Sequence, residues 1–119
     1  MGGYQGLAVW QRSMDLAEAV YRLTRSFPPE EKFGLTSQAR RAAASVPANI
    51  AEGYGRGTRP AYVNFVRIAQ GSLKELETHL ILSARVGACE KGAIEPMLVE
   101  ADELGRMLRG LANSLSPKP

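Results

Sequence analysis

The sequence predicts an all-α protein, an antiparallel up-down-up-down four-helix bundle. Apolar residues recur every three or four positions in four stretches and nowhere alternate as in a strand. Clusters of proline and glycine, at Phe27-Pro28-Pro29, Gly53 to Pro60 and Gly87 to Gly92, separate those stretches. The 119 residues, 45% of them hydrophobic, suffice for one core but not for two. Short connections make consecutive helices reverse direction, and four amphipathic rods bury their apolar faces best against one another. One domain over residues 1–119 is expected.

The first helix is expected over residues 7–26. Val9, Trp10, Met14, Ala17, Val20, Tyr21, Thr24 and Phe27 share one broad face, with Arg12, Asp15, Glu18 and Arg22 on the other. Glu18 and Arg22 form an i,i+4 pair, and Pro28 and Pro29 end the helix. The second helix, over 36–54, is rich in alanine, the best helix former. Ala39, Ala43, Val46, Ile50 and Tyr54 form its stripe, and Thr36 or Ser37 supplies the N-cap oxygen. Pro47 predicts a kink rather than a break, because the same periodicity continues past it.

The third helix is expected over 60–86, with Thr58 as N-cap, Pro60 in the first turn and Gly87 as the stop. Tyr62, Phe65, Val66, Ala69, Leu73, Leu76, Leu80 and Ala84 line its core face. The fourth, over 92–114, turns Ile94, Met97, Leu98, Ala101, Leu104, Leu108, Leu111 and Leu115 inward, tolerates Pro96 near its start and carries an Asp102–Arg106 pair. Residues 115–119 read as a flexible tail.

Several function classes fall away. No apolar run approaches the roughly 20 residues that span a bilayer, and Met1-Gly2-Gly3-Tyr4-Gln5 does not begin like a secretory signal. Cys89 is the one cysteine, so no intrachain disulfide is possible, and a cytoplasmic protein with no membrane partner is expected. His79 is the one histidine and reads as a partly buried structural residue, with a weak pH-sensitive contact to Glu75 as the alternative. It is the only available base for a nucleophile, and a di-metal bundle site needs two Glu-x-x-His motifs. Cys89 has no visible activator. No catalytic residue, metal site or cofactor is expected.

Gly53-Tyr54-Gly55-Arg56-Gly57-Thr58 superficially resembles a phosphate-cradling loop, but no strand precedes it and no Lys-Ser/Thr follows. It reads as a helix stop plus turn, or as a flexible loop in which Arg56 and Arg59 hold phosphates while Tyr54 stacks on a base. On the second helix, Gln38, Arg41, Ser45, Asn49, Glu52 and Arg56 fall within about 80° of one another, beside the apolar face. Such a polar seam fixes helix register or a subunit interface, or lines a ligand groove.

The formal net charge is +3, with ten Lys/Arg against five Asp/Glu in residues 1–74 and five against seven in residues 75–119. On the third helix Arg67, Lys74 and Arg85 fall within about 20° of one another on the side away from the core, over roughly 27 Å. They read as a solvated face or as a line that meets phosphates along a strand. Leu16, Leu23, Val63, Ile81 and Leu82 extend the apolar surface beyond one core face, and they read as a wide core face or a subunit interface.

Leu7-Ala8-Val9-Trp10-Gln11, Phe27-Pro28, Phe33-Gly34-Leu35-Thr36-Ser37-Gln38, Ser45-Val46-Pro47-Ala48-Asn49-Ile50-Ala51-Glu52-Gly53 and Ala69-Gln70-Gly71-Ser72-Leu73-Lys74-Glu75-Leu76-Glu77 strongly resemble the four-helix-bundle family encoded in intervening sequences of bacterial 23S ribosomal RNA genes. The resemblance covers nearly the whole chain and departs most in the fourth segment, at Gly92 and Pro96. It implies a ring-like homopentamer and a distant kinship with the accessory protein of diversity-generating retroelements, a basic pentamer that works with a reverse transcriptase and nucleic acid. It implies no established activity. The expectation is a non-enzymatic homo-oligomer that binds RNA or DNA through a basic outer surface. The alternative is a protein–protein scaffold or accessory subunit for a nucleic-acid enzyme.

Overall fold

The computed structural model describes residues 3–116. A 3-10 turn, Tyr4–Gly6, leads into α1 (Ala8–Thr24), and a second 3-10 turn, Pro29–Glu31, leads into α2 (Leu35–Gly55). Then come α3 (Arg59–Arg85) and α4 (Lys91–Leu115). No strand occurs among the described residues. Each helix end lies within two residues of its expected place. Each helix packs on two others, α1 and α3 both lying against α2 and α4, in a bundle of 46 × 26 × 22 Å.

The helix ends follow local chemistry. Thr58 caps α3 by accepting a hydrogen bond from the Ala61 amide at 3.3 Å, with Pro60 in the first turn. Gly87, at φ +83°, closes α3. Its amide bonds the Ala84 carbonyl and the Ala88 amide bonds the Ser83 carbonyl, a Schellman closure. The cap of α2 differs from expectation. Neither Thr36 nor Ser37 supplies it, because the helix begins at Leu35, and the Glu31 carboxylate reaches forward to accept from the Leu35 amide at 3.1 Å. α2 is continuous through the buried Pro47. Leu115, expected in the tail, is still helical, and both the amide and the hydroxyl of Ser116 bond the Ala112 carbonyl. The rest of that tail, 117–119, lies outside the described residues.

Val20, Val46, Ile50, Val66, Leu73, Leu76, Leu80, Leu104 and Leu108 are fully buried in one cluster to which all four helices contribute. The inward face of α1 is rotated from the expected one. Leu16, read as part of a wide core face or a subunit interface, is 3% exposed, and Ser13 is buried beside it, whereas Met14 and Tyr21 are 36% and 42% exposed. Leu23 packs partly buried against the core, and Tyr54, expected inward, is half exposed. Ile81 and Leu82 do face outward.

Hydroxyls explain how polar residues reach the interior. Ser13 donates to the Trp10 carbonyl at 2.8 Å, Thr24 to Val20 at 2.8 Å and Ser83 to His79 at 2.7 Å, so each satisfies itself on its own helix. Two arginines tie α1 to its neighbours. Arg12 forks onto Glu100 and Glu103 of α4, each at 2.7 Å. Arg40 of α2 donates to the Thr24 hydroxyl at 2.8 Å and stacks over the Tyr21 ring.

Candidate nucleic-acid interface

Arg67, Lys74 and Arg85 are all exposed on α3, opposite the face that carries Leu73, Leu76 and Leu80. They differ in surroundings. Lys74 pairs with Glu77 of its own helix at 3.2 Å and borders a groove between α3 and α4 of about 450 Å³. Arg106 and Arg109 of α4 border the same groove, so three cations from two helices converge there with one carboxylate, Asp102. Arg106 hydrogen-bonds Asp102, and that bond, with smaller contributions from Lys74 and Arg109, holds the Asp102 carboxyl below the usual range. Arg85 borders a separate α3–α4 cleft beside Lys91 and Glu95. Along one exposed line of α3, Lys74 and Arg85 therefore border two separate clefts.

Arg106 and Arg109 are the members that local sequence reading missed. Spacing along α4 shows only a helix pair for Arg106. Their approach to Lys74 depends on how α4 sits against α3, where Gly105 faces Leu73.

The groove also holds two helix-interior glycines, Gly71 and Gly105. A glycine there costs about 1 kcal/mol relative to alanine. Packing does not demand either one. A Cβ at Gly71 would meet nothing within 4 Å, and one at Gly105 only the Leu73 Cδ2 at 3.6 Å, an ordinary contact. Gly53 is the opposite case, since its Cβ would lie 2.7 Å from the Phe65 Cβ, so its absence lets α2 and α3 approach closely.

The segment from Gly53 to Thr58 is half helix and half turn. α2 runs through Gly55, and only Arg56, Gly57 and Thr58 connect it to α3, with Gly57 at φ +82°. Tyr54 packs edge-on against Tyr62, with ring centroids 5.8 Å apart. Arg56 bonds Glu52 at 2.7 Å and lies over the Phe65 ring. Arg59 opens α3 next to Leu115 and Ser116, where the C-terminal carbonyls of α4 favour a cation.

The polar seam is buried only in its middle. Ser45 Oγ lies 2.7 Å from Ser72 Oγ of α3, and Asn49 Nδ2 donates to the Ser45 carbonyl and hydroxyl at 2.8 and 2.9 Å. Gln38, Arg41 and Glu52 are exposed at its ends, so the partial burial expected of the whole stripe holds for Ser45 and Asn49 alone.

His79 is half-buried, and its Nδ1 is buried with no hydrogen-bond partner among the described residues. Burial pushes the Cys89 thiol up, with Glu90 adding to the effect. No group of three His, Cys, Asp or Glu side chains able to hold a metal ion occurs among the described residues. No described helix is long and apolar enough to cross a membrane. A further groove, of about 630 Å³, runs between α1 and α2 and is bordered by Trp10, Met14, Tyr21, Ala44 and Ala48.

Residues 5–110 match the family of 23S rRNA-intervening sequence proteins. Among solved structures, a protein of unknown function from the S23 ribosomal protein family of Bacteroides thetaiotaomicron VPI-5482 superposes with a TM-score of 0.78. The two are 22% identical, over 88% of this chain and 98% of that one, a likeness of fold. No curated protein matches the sequence.

Proposed function

This chain belongs to the 23S rRNA-intervening sequence protein family, and from that premise we propose that it is a non-enzymatic, homo-oligomeric protein whose basic outer surface binds RNA or DNA. The observation that carries the reading is the exposed line Arg67, Lys74 and Arg85 on the side of α3 away from the core. Phosphates along a strand meet such a line, and an oligomer repeats it and multiplies weak contacts. Self-association is supported by apolar side chains that the monomer leaves open, among them Phe33 at 86% and Val99 at 67% exposure. A ring-like homopentamer is the assembly the family resemblance implies. An antiparallel, up-down-up-down helix order is part of the same reading. The three-residue link between α2 and α3 supports it, as does the approach of Gly53 to Phe65 near that link while Ser45 meets Ser72 further along.

Light scattering of the purified protein, with absorbance at 260 nm, tests assembly and partner class together. Anisotropy of a labelled single-stranded RNA across a salt series tests binding. Log affinity is expected to fall with log salt by about 0.7 per phosphate contact. A monomer that binds no nucleic acid at low salt would end this reading.

The α1–α2 groove favours a second reading, a protein–protein scaffold, because Trp10, Met14 and Tyr21 present apolar surface there. A pull-down that recovers nucleic acid and no protein would count against it.

A further inference from the structure

We infer that the α3–α4 groove around Lys74 is a phosphodiester-binding site for a single-stranded nucleic acid, with Arg106 and Arg109 as its second wall and Gly71 and Gly105 as its open floor; this deepens the nucleic-acid reading above and rests on it. Two independent features meet there, the cations and the glycines. Cations from two helices far apart in sequence converge on one groove. Two of the three are arginines, whose planar forks pair with phosphate oxygens through two hydrogen bonds at once. Both interior glycines that border the groove stand where the fold itself leaves room for a side chain, so what they leave open is space over the groove. A ligand backbone approaches glycine more closely than any other residue. Arg67, two turns before Lys74 on the exposed side of α3, extends the track by about 10 Å.

The test is anisotropy of a labelled single-stranded RNA with the full chain and four variants, each checked by circular dichroism. Lys74→Gln with Arg109→Gln is expected to weaken binding at least tenfold and to lower the salt slope by about 1.4, two contacts' worth. Gly71→Leu keeps every charge and fills the floor, and it too is expected to weaken binding at least tenfold. Gly110→Ala, in α4 but not bordering the groove, is the control and is expected to bind like the parent protein. Gln substitutions at Arg56 and Arg59 are likewise expected to leave most of the affinity. If the parent chain binds RNA and the groove variants bind equally well, this site is wrong while the broader reading stands. If the parent chain binds no nucleic acid, both fail. Equally tight binding of an oligo-glutamate of matched charge would overturn the assignment to phosphodiesters.

Discussion

Ser45 of α2 and Ser72 of α3 face each other with their hydroxyl oxygens 2.7 Å apart. They come from two stretches that carry the resemblance, Ser45-Val46-Pro47-Ala48-Asn49-Ile50-Ala51-Glu52-Gly53 and Gly71-Ser72-Leu73-Lys74-Glu75-Leu76-Glu77. The contact therefore joins two of the stretches whose residues resemble the family. Asn49 donates to the Ser45 hydroxyl from one turn away on the same helix.

A double-mutant cycle should detect that coupling. Ser72→Ala is expected to cost about 1 kcal/mol in urea unfolding, and Ser45→Ala somewhat more because Asn49 also loses a partner. The double variant should lose less than the sum, by about 0.5 kcal/mol or more. Additive losses would show that the two hydroxyls act independently.

Gly53→Ala is expected to destabilise the protein by about 1–3 kcal/mol, because the new Cβ would press on Phe65, although alanine is the better helix former. Gly110→Ala, with open space above it, should stabilise by up to about 1 kcal/mol. Opposite signs for one substitution at two helical glycines would separate close approach from propensity. A stabilised Gly53 variant would contradict the close approach of Gly53 to Phe65.

Acid should loosen α1 from α4. The Glu103 carboxyl is held below its ordinary value of 4.5, chiefly by its hydrogen bond to Arg12. A depressed folded-state value means that the contribution is complete above the unfolded value and is lost as pH falls through the folded one. Thermal unfolding should therefore fall more steeply below about pH 4.5 in the parent chain than in Arg12→Gln, whose Glu103 has no such partner. Parallel acid limbs would mean that the fork onto α4 adds nothing in solution.

Cys89 should alkylate slowly. Burial raises its thiol above the ordinary range, so the thiolate is scarce at neutral pH. Reaction with iodoacetamide at pH 7.5, a condition of about neutral pH, should be slower than that of free cysteine and should accelerate on unfolding in urea. Modification as fast as the free amino acid would show an activated thiol.

Periodicity revealed the four helices because helix ends depend on local chemistry that one strand of sequence carries, such as Thr58 at a cap and Gly87 at a stop. The rotated face of α1 was harder to read. Trp10, Met14 and Tyr21 outweigh Ser13 on any apolar count, yet a serine that bonds its own helix carbonyl enters a core at little cost. The cap of α2 escaped for a similar reason, since Glu31 acts from a short turn with no apolar period of its own. Of the candidate site, Arg67, Lys74 and Arg85 are legible as helix geometry. Arg106 and Arg109 are not, because only the placement of α4 against α3 brings them to Lys74.

The three-residue link at Arg56, Gly57 and Thr58 also has a kinetic meaning. Closing so short a span loses little chain entropy, so α2 and α3 are expected to find each other first during folding. Substitutions between them should slow folding. Those at the Arg12 fork, which bridges residues nearly ninety positions apart, should leave the folding rate alone and hasten unfolding instead.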